Sequence, residues 1–157
     1  MDSLTFSTID KGHRMVDEKI VELVNQVGYF LRRKKRFDSA LSVFQALQRF
    51  QPDHSYPHLG QALVYAQQGD FDEAKLRLQR VLARQPEHSF ALACFGLVLL
   101  QCGDQSWRGS LQRAASSDDE FGGQRMAREI LSMIGPREGP RTSAPVASTI
   151  GRLKRIS

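Results

Sequence analysis

Residues 51–56 read QPDHSY and residues 85–90 read QPEHSF, identical at four of six positions with two mild exchanges and 34 residues apart. A catalytic site seldom repeats itself. A stacked helical unit must, because each copy presents the same surfaces to its neighbours. Sliding the sequence by the same 34 residues brings much more into register: Gly28 with Ala62 and Gly96, Phe37 with Phe71, Asp38 with Asp72, Ala40 with Ala74, Pro52 with Pro86, and Gly69 with Gly103.

Each type has a mechanical role. The Gly28, Ala62, Gly96 series puts a small residue where a first helix approaches its partner closely. Ala40 and Ala74 do the same on a second helix, and Phe44 and Leu78, four residues later on that face, supply bulk. Pro52 and Pro86 end one helix or begin the next. Gly69 followed by DFDEA gives a turn, an N-capping acid and a helix start.

These residues resemble the tetratricopeptide repeat, a 34-residue helix-turn-helix with small residues at its eighth and twentieth positions, an aromatic near the twenty-fourth and proline near the thirty-second. Counted from Val21, the first repeat holds Val24, Val27, Gly28, Leu31, Phe37, Ala40, Phe44, Leu47 and Pro52. Counted from Ser55, the second holds Ala62, Tyr65, Gly69, Phe71, Ala74, Leu78, Val81 and Pro86. The resemblance implies an all-α solenoid of helical hairpins with about three repeats, at residues 21–54, 55–88 and 89–120.

The third copy keeps Leu92, Phe95, Gly96, Leu99 and Gly103 and then departs: Arg108 stands where a small residue is expected, after Trp107, and Glu120 replaces the proline. A one-residue slip would put Gly109 at the close-contact site, in a second helix near Gln105 to Ala115. A closing repeat has no following neighbour to pack against, so degeneracy is expected there. Met126, Ile130, Leu131 and Ile134 recur at helical spacing and predict a capping helix over 124–134. Residues 135–157, rich in Pro, Gly, Ser and Arg, predict a disordered basic tail. Upstream, Met15, Ile20, Leu23, Val24, Val27 and Leu31 extend the first apolar stripe backward. The opening helix is therefore expected to begin near His13 or Arg14, so the helical domain spans 14–134 after a flexible 1–13. That long helix is also a candidate for a homodimer contact, although core packing explains the same stripe more simply.

Bulk properties bound the rest. A 157-residue chain with 41% hydrophobic and 25% charged residues is ordinary for one small globular domain. No stretch approaches the roughly 18 apolar residues that cross a bilayer, and MDSLTFSTIDKGHR lacks the basic start and apolar stretch of a secretory signal. A cytoplasmic protein is the expectation. Of the formal +5, residues 136–157 carry +4, which leaves the folded part nearly neutral and argues against nucleic acid as the partner. The RRKKR run at Arg32 to Arg36 falls at a helix end, where cations are favoured. Cys94 and Cys102 sit eight apart on one expected helix, about 12 Å by the helical rise and too far for a disulfide. Two buried, reduced thiols are expected.

Catalytic patterns are missing. The chain has no Gly-rich phosphate loop, no paired His spacing of the zinc-protease type and no nucleophile elbow. His54 and His58 flank Pro57 in an inter-repeat turn, and His88 repeats His54 at the period of the fold, so both pairs read as helix starts rather than metal ligands. Neither enzyme activity nor a cofactor is expected.

In proteins of the tetratricopeptide type the first helices line the concave face through positions near two, five, nine and twelve. Carried onto this chain, those are Glu22, Asn25, Tyr29 and Arg32, then Tyr56, Leu59, Leu63 and Ala66, then Phe90, Ala93, Leu97 and Leu100. The floor turns from polar to apolar. Relatives that clamp acidic chaperone tails use Lys, Arg and Asn there, because a carboxylate needs charge-assisted donors. The expected site is instead an apolar groove of Tyr29, Tyr56, Leu59, Leu63, Ala66, Phe90, Ala93, Leu97 and Leu100, open to a peptide with apolar anchors or covered by the chain's own N-terminus, extra helix or tail.

A narrower resemblance covers about residues 20–134. The stretch from Phe37 to Ala74, with VFQAL at Val43 to Leu47, is similar to the small cytoplasmic chaperones of bacterial type III secretion that bind translocators, and LLQCGDQSW at Leu99 to Trp107 is similar to needle-subunit chaperones of those systems. That resemblance implies a non-catalytic chaperone holding an apolar segment of a secreted translocator or needle subunit. A general tetratricopeptide adaptor in a protein assembly is the alternative, and a binder of RNA or membrane surfaces through the basic runs is a third, distinguished by steep salt dependence.

Overall fold

Turn chemistry sets where each helix stops. The computed structural model describes residues 3–118 and 120–135, with side chains from residue 17 onward; the expected tail beyond Gly135 lies outside them. Within these residues the chain forms α1 (Ser3–Arg33), α2 (Phe37–Phe50), α3 (Ser55–Gln68), α4 (Phe71–Arg84), α5 (Ser89–Gln101), α6 (Trp107–Ser116) and α7 (Gly123–Ile134). The turn inside each hairpin uses one device three times. Lys35, Gly69 and Gly103 share a register position and all take positive φ, at 59°, 83° and 70°. The next amide then closes the helix end: Arg36 N–H donates to the Leu31 carbonyl, Asp70 to Tyr65 and Asp104 to Leu99, each at 2.9 Å. Asp70 also caps α4 by accepting from the Glu73 amide.

The repeated hexapeptide works between hairpins. Arg84 of α4 donates to the Pro52 carbonyl at 3.2 Å and to Asp53 at 2.9 Å, and Arg113 of α6 donates to the Pro86 carbonyl at 2.8 Å and to Glu87 at 2.7 Å. A second helix thus hooks the turn that precedes its own hairpin. His88 caps α5, its Nδ1 accepting from the Ala91 amide, while its ring stacks on Phe121 at 3.8 Å. The second copy of the phrase is needed because a second turn must be held in the same way.

Packing follows the small-residue register. A Cβ on Gly28 would sit 2.7 Å from the Phe44 ring, and one on Gly60 only 2.3 Å from it. The fully buried Phe44 fills the space between α1 and α3, with Tyr29 edge-on at 5.2 Å. Leu78 takes the same role in the second core, with Leu59, Ala62, Ala74, Val81, Ala91, Cys94 and Val98. Leu92, Ala93, Leu111, Ala114, Ala127 and Ile130 form the third.

Four features depart from expectation. First, α1 begins at Ser3 rather than near His13 or Arg14: residues 3–13 contain no proline, and helix continues there without the core stripe used to place its start. Second, the slip in the third repeat runs the other way. A Cβ on Gly96 meets Leu111 at 2.8 Å and the Trp107 carbonyl at 3.1 Å, so Leu111 takes the Phe44 and Leu78 place and Trp107, the first residue of α6, takes that of Ala40. Third, a Cβ on Gly109, the expected close-contact residue, would meet nothing within 4 Å. Fourth, Cys102 is exposed, because α5 ends at Gln101 and the chain turns at that residue; Cys94 is buried.

The third departure yields a stability prediction. Gly109 sits exposed inside α6, so Gly109→Ala removes backbone freedom from the unfolded chain and raises stability by about 0.5–1 kcal/mol, measured by urea unfolding. A fall would put a neighbour against that position.

Candidate functional site

The helices touch one another unevenly. Each hairpin packs internally, α1 with α2, α3 with α4 and α5 with α6, and each second helix also touches the next first helix. First helices contact first helices in a row, α1 with α3, α3 with α5 and α5 with α7, whereas among the described residues no second helix contacts another. A row held together on one side and splayed on the other is curved, with α1, α3, α5 and α7 on its inner side. α7 thus occupies the place a fourth first helix would take.

Side-chain contacts cross this inner row. Tyr29 of α1 is pushed up to about 12 by burial first and then by Cys94 of α5, against the lowering influence of Arg32. Burial likewise pushes the Cys94 thiol up to about 12. That thiol stays protonated at neutral pH and behaves as a small apolar side chain. Arg32 lies 5.9 Å from the Tyr29 ring centroid and donates to Gln67 of α3 at 2.9 Å.

The expected groove residues divide by repeat position. Leu59 and Ala93 are buried in the interhelical cores, at 5% and 0% exposure, so their side chains are not on an open face. Asn25 shares their register and its Oδ1 is also buried, without a hydrogen-bond partner. The fifth position is buried in the second and third repeats, where α3 and α5 pack into the interhelical cores, and half-buried in the first. Tyr29, Tyr56, Leu63, Ala66, Phe90, Leu97 and Leu100 are half-buried on α1, α3 and α5. Of the expected groove residues, those at positions two, nine and twelve keep an accessible side.

One feature of the site escaped the sequence. Beside Tyr56 a pocket of ≈ 290 Å³ opens between α1 and the α2–α3 turn, lined by Glu18, Val21, Glu22, Asn25, Gln51, His54 and Tyr56. The Tyr56 hydroxyl donates to Gln51 Oε1 and orients that wall. Glu22 and Asn25 were within reach of the repeat register, and Glu18 is one turn earlier; Gln51 and His54 were legible only as turn residues. Two carboxylates and no lysine or arginine line this pocket, which suits it to a hydrogen-bond donor.

His58, one turn into α3, is buried at 8% exposure. Burial first, then the positive charges of Arg80, Arg77 and Arg84, hold its pKa below the ordinary 6.5. The unfolded chain therefore takes up this proton before the folded chain does. Stability attributable to His58 is complete above about pH 6.5 and declines as pH falls below it. Urea midpoints of the wild type measured between pH 7.5 and 5.5 should fall more than those of His58→Gln; parallel curves would contradict this assignment. Among the described residues no cluster of three His, Cys, Asp or Glu side chains is placed to hold a metal ion, and no helix is long and apolar enough to cross a membrane.

A family model described as Bacterial type III secretion protein (HrpB1_HrpK) matches residues 14–133. The chain belongs to this family. The match takes in all three hairpins and nearly all of α7, the same row of helices that carries the half-buried apolar residues. Among solved structures, a tetratricopeptide repeat protein from Parabacteroides merdae superposes with a TM-score of 0.56 at 19% identity, over 82% of this chain and 56% of that one. This likeness shows that the chain has the tetratricopeptide-type fold, and the chain spans little more than half the length of that solved structure. No curated protein matches the chain.

Proposed function

We propose that this protein is a non-catalytic chaperone of the bacterial cytoplasm that holds an apolar segment of a secreted translocator or needle subunit against its first helices. The observation that carries the reading is the run of half-buried Leu63, Ala66, Phe90, Leu97 and Leu100 on one inner row, in a chain from a type III secretion family. Half-buried aliphatic side chains are already partly ordered, so a bound segment adds apolar burial, at about 25 cal/mol per Å², with little further ordering of the groove. The pocket at Glu18 and Glu22 lies beside Tyr56 and suits a lysine, an arginine or a backbone amide of the same segment. A subunit built to assemble or insert outside the cell exposes surfaces that aggregate inside it, and occupying one of them keeps the subunit soluble. A second copy of the chain meets this one through α1, away from the groove.

The test is solubility of the secreted subunit expressed alone and with this chain. A chaperone converts an aggregating subunit into a soluble complex. A subunit that is equally soluble alone favours the adaptor.

A further inference from the structure

Helix α1 carries two apolar stripes, one residue out of step. Val21, Val24, Gly28 and Leu31 face the chain's own core or pack against it, with Val21 and Gly28 buried. Ile20, Leu23, Val27 and Phe30 repeat the same three-four-three spacing about 100° around the helix. They are 53%, 61%, 43% and 55% exposed. Singly exposed apolar residues need no explanation, but four in one continuous stripe do. The inner-row positions Glu22, Asn25, Tyr29 and Arg32 fall on a different side of α1, so this stripe is not part of the groove.

Position in the solenoid sharpens the point. The last hairpin is covered by α7, which turns Arg125, Arg128, Glu129 and Ser132 outward, with Met133 and Ile134 exposed at its end. Among the described residues no other helix covers this stripe of α1. α1 has 31 residues and its hairpin partner α2 has 14, so half of α1 runs past its own hairpin. In the sequence the three-four spacing continues toward the N-terminus at Val16, His13, Ile9 and Phe6.

We infer that Ile20, Leu23, Val27 and Phe30 form the seam of a homodimer in which α1 packs against α1 of a second copy. An apolar residue at alternating three- and four-residue intervals is the pattern of a helix that wants a partner helix along its length, knobs into holes. Within this chain α1 is the segment that supplies both halves of such a seam, and a two-fold axis lets the same stripe serve on both sides. At 1.5 Å per residue the helix is about 46 Å long. The three-four spacing runs in the sequence from Phe30 back to Phe6, about 36 Å of helix, and a paired contact of that length approaches the roughly 800 Å² per partner of a stable interface. The seam gives residues to the α1 self-contact proposed above and stands independently of the groove.

Sedimentation equilibrium of the full chain at micromolar concentration tests it. The expected mass is twice that of the 17.7-kDa chain. Leu23→Glu with Val27→Glu places four carboxylates in the symmetric seam and should weaken self-association by roughly a hundredfold, with helical circular dichroism unchanged. Leu23→Ala, which adds no charge and alters a position exposed in the monomer, should weaken it by roughly tenfold. The Glu variant should still bind the secreted partner, and Leu63→Glu with Leu97→Glu should still dimerise, so seam and groove fail separately. A monomeric wild type, or a dimer indifferent to both Leu23 substitutions, overturns the inference.

Discussion

Replacing Leu63 and Leu97 with Glu weakens retention of the secreted partner by roughly a thousandfold while leaving the helical signal and cooperative melting in place. Both side chains are half-buried, one on α3 and one on α5, so each has a packed base and an open tip. Burying a leucine contributes about 2 kcal/mol, and losing two anchors costs about 4 kcal/mol, which is three decades of affinity. A carboxylate facing an apolar segment adds a desolvation cost on top. The measurement is co-purification of the tagged chain with its partner, followed by titration of the purified pair. Undiminished affinity with intact folding would move the site off the inner row.

Gly123→Ala is expected to cost about 3 kcal/mol, the upper end for overpacking, because what it strikes is backbone. A Cβ at that position would lie 2.0 Å from the Ser89 carbonyl carbon and 2.1 Å from the Phe90 nitrogen, and neither can rotate away. The Gly123 amide meanwhile donates to Ser89 Oγ at 3.0 Å, pinning the start of α7 to the start of α5. Displacing that crossing pulls Ala127 and Ile130 out of the third core. In a domain of this size about 3 kcal/mol lowers the melting temperature by roughly 10 °C. Calorimetry of Gly123→Ala beside Gly109→Ala sets the scale: the first should melt lower and the second slightly higher. Equal melting temperatures would mean that α7 does not close on α5 as described.

These two glycines also show what the sequence could and could not reveal. Gly28, Ala62 and Gly96 were legible because the chain states their role three times at one period. Gly60 and Gly123 state theirs once. Gly60 meets Phe44 from the neighbouring hairpin, and its register positions hold Gln26 and Cys94, so no small residue echoes it; Gly123 meets Ser89 one period earlier at the same register position, where the other repeats hold Val21, Ser55 and Ser89 rather than glycine. The third repeat differs for a related reason: Leu111, rather than Gln112 four residues after Arg108 in strict register, fills the space beside Gly96, and the missing residue falls in the turn before α6. The position rule puts Leu59 and Ala93 in the groove, but the spacing cannot show how closely first helices approach one another; α1, α3 and α5 touch, and Leu59 and Ala93 are lost to the core. The exposed stripe on α1 was visible as apolar residues but indistinguishable from core, since two stripes one residue apart give the same periodicity. Only burial separates them.

The most direct measurement is site-specific photocrosslinking in the native host. A photoreactive side chain at position 97, on the inner row, should give a covalent product with a secreted subunit of the type III system, and the same group at position 76, exposed on second helix α4, should give none. Crosslinking to that subunit from position 76 but not from 97 would contradict the account.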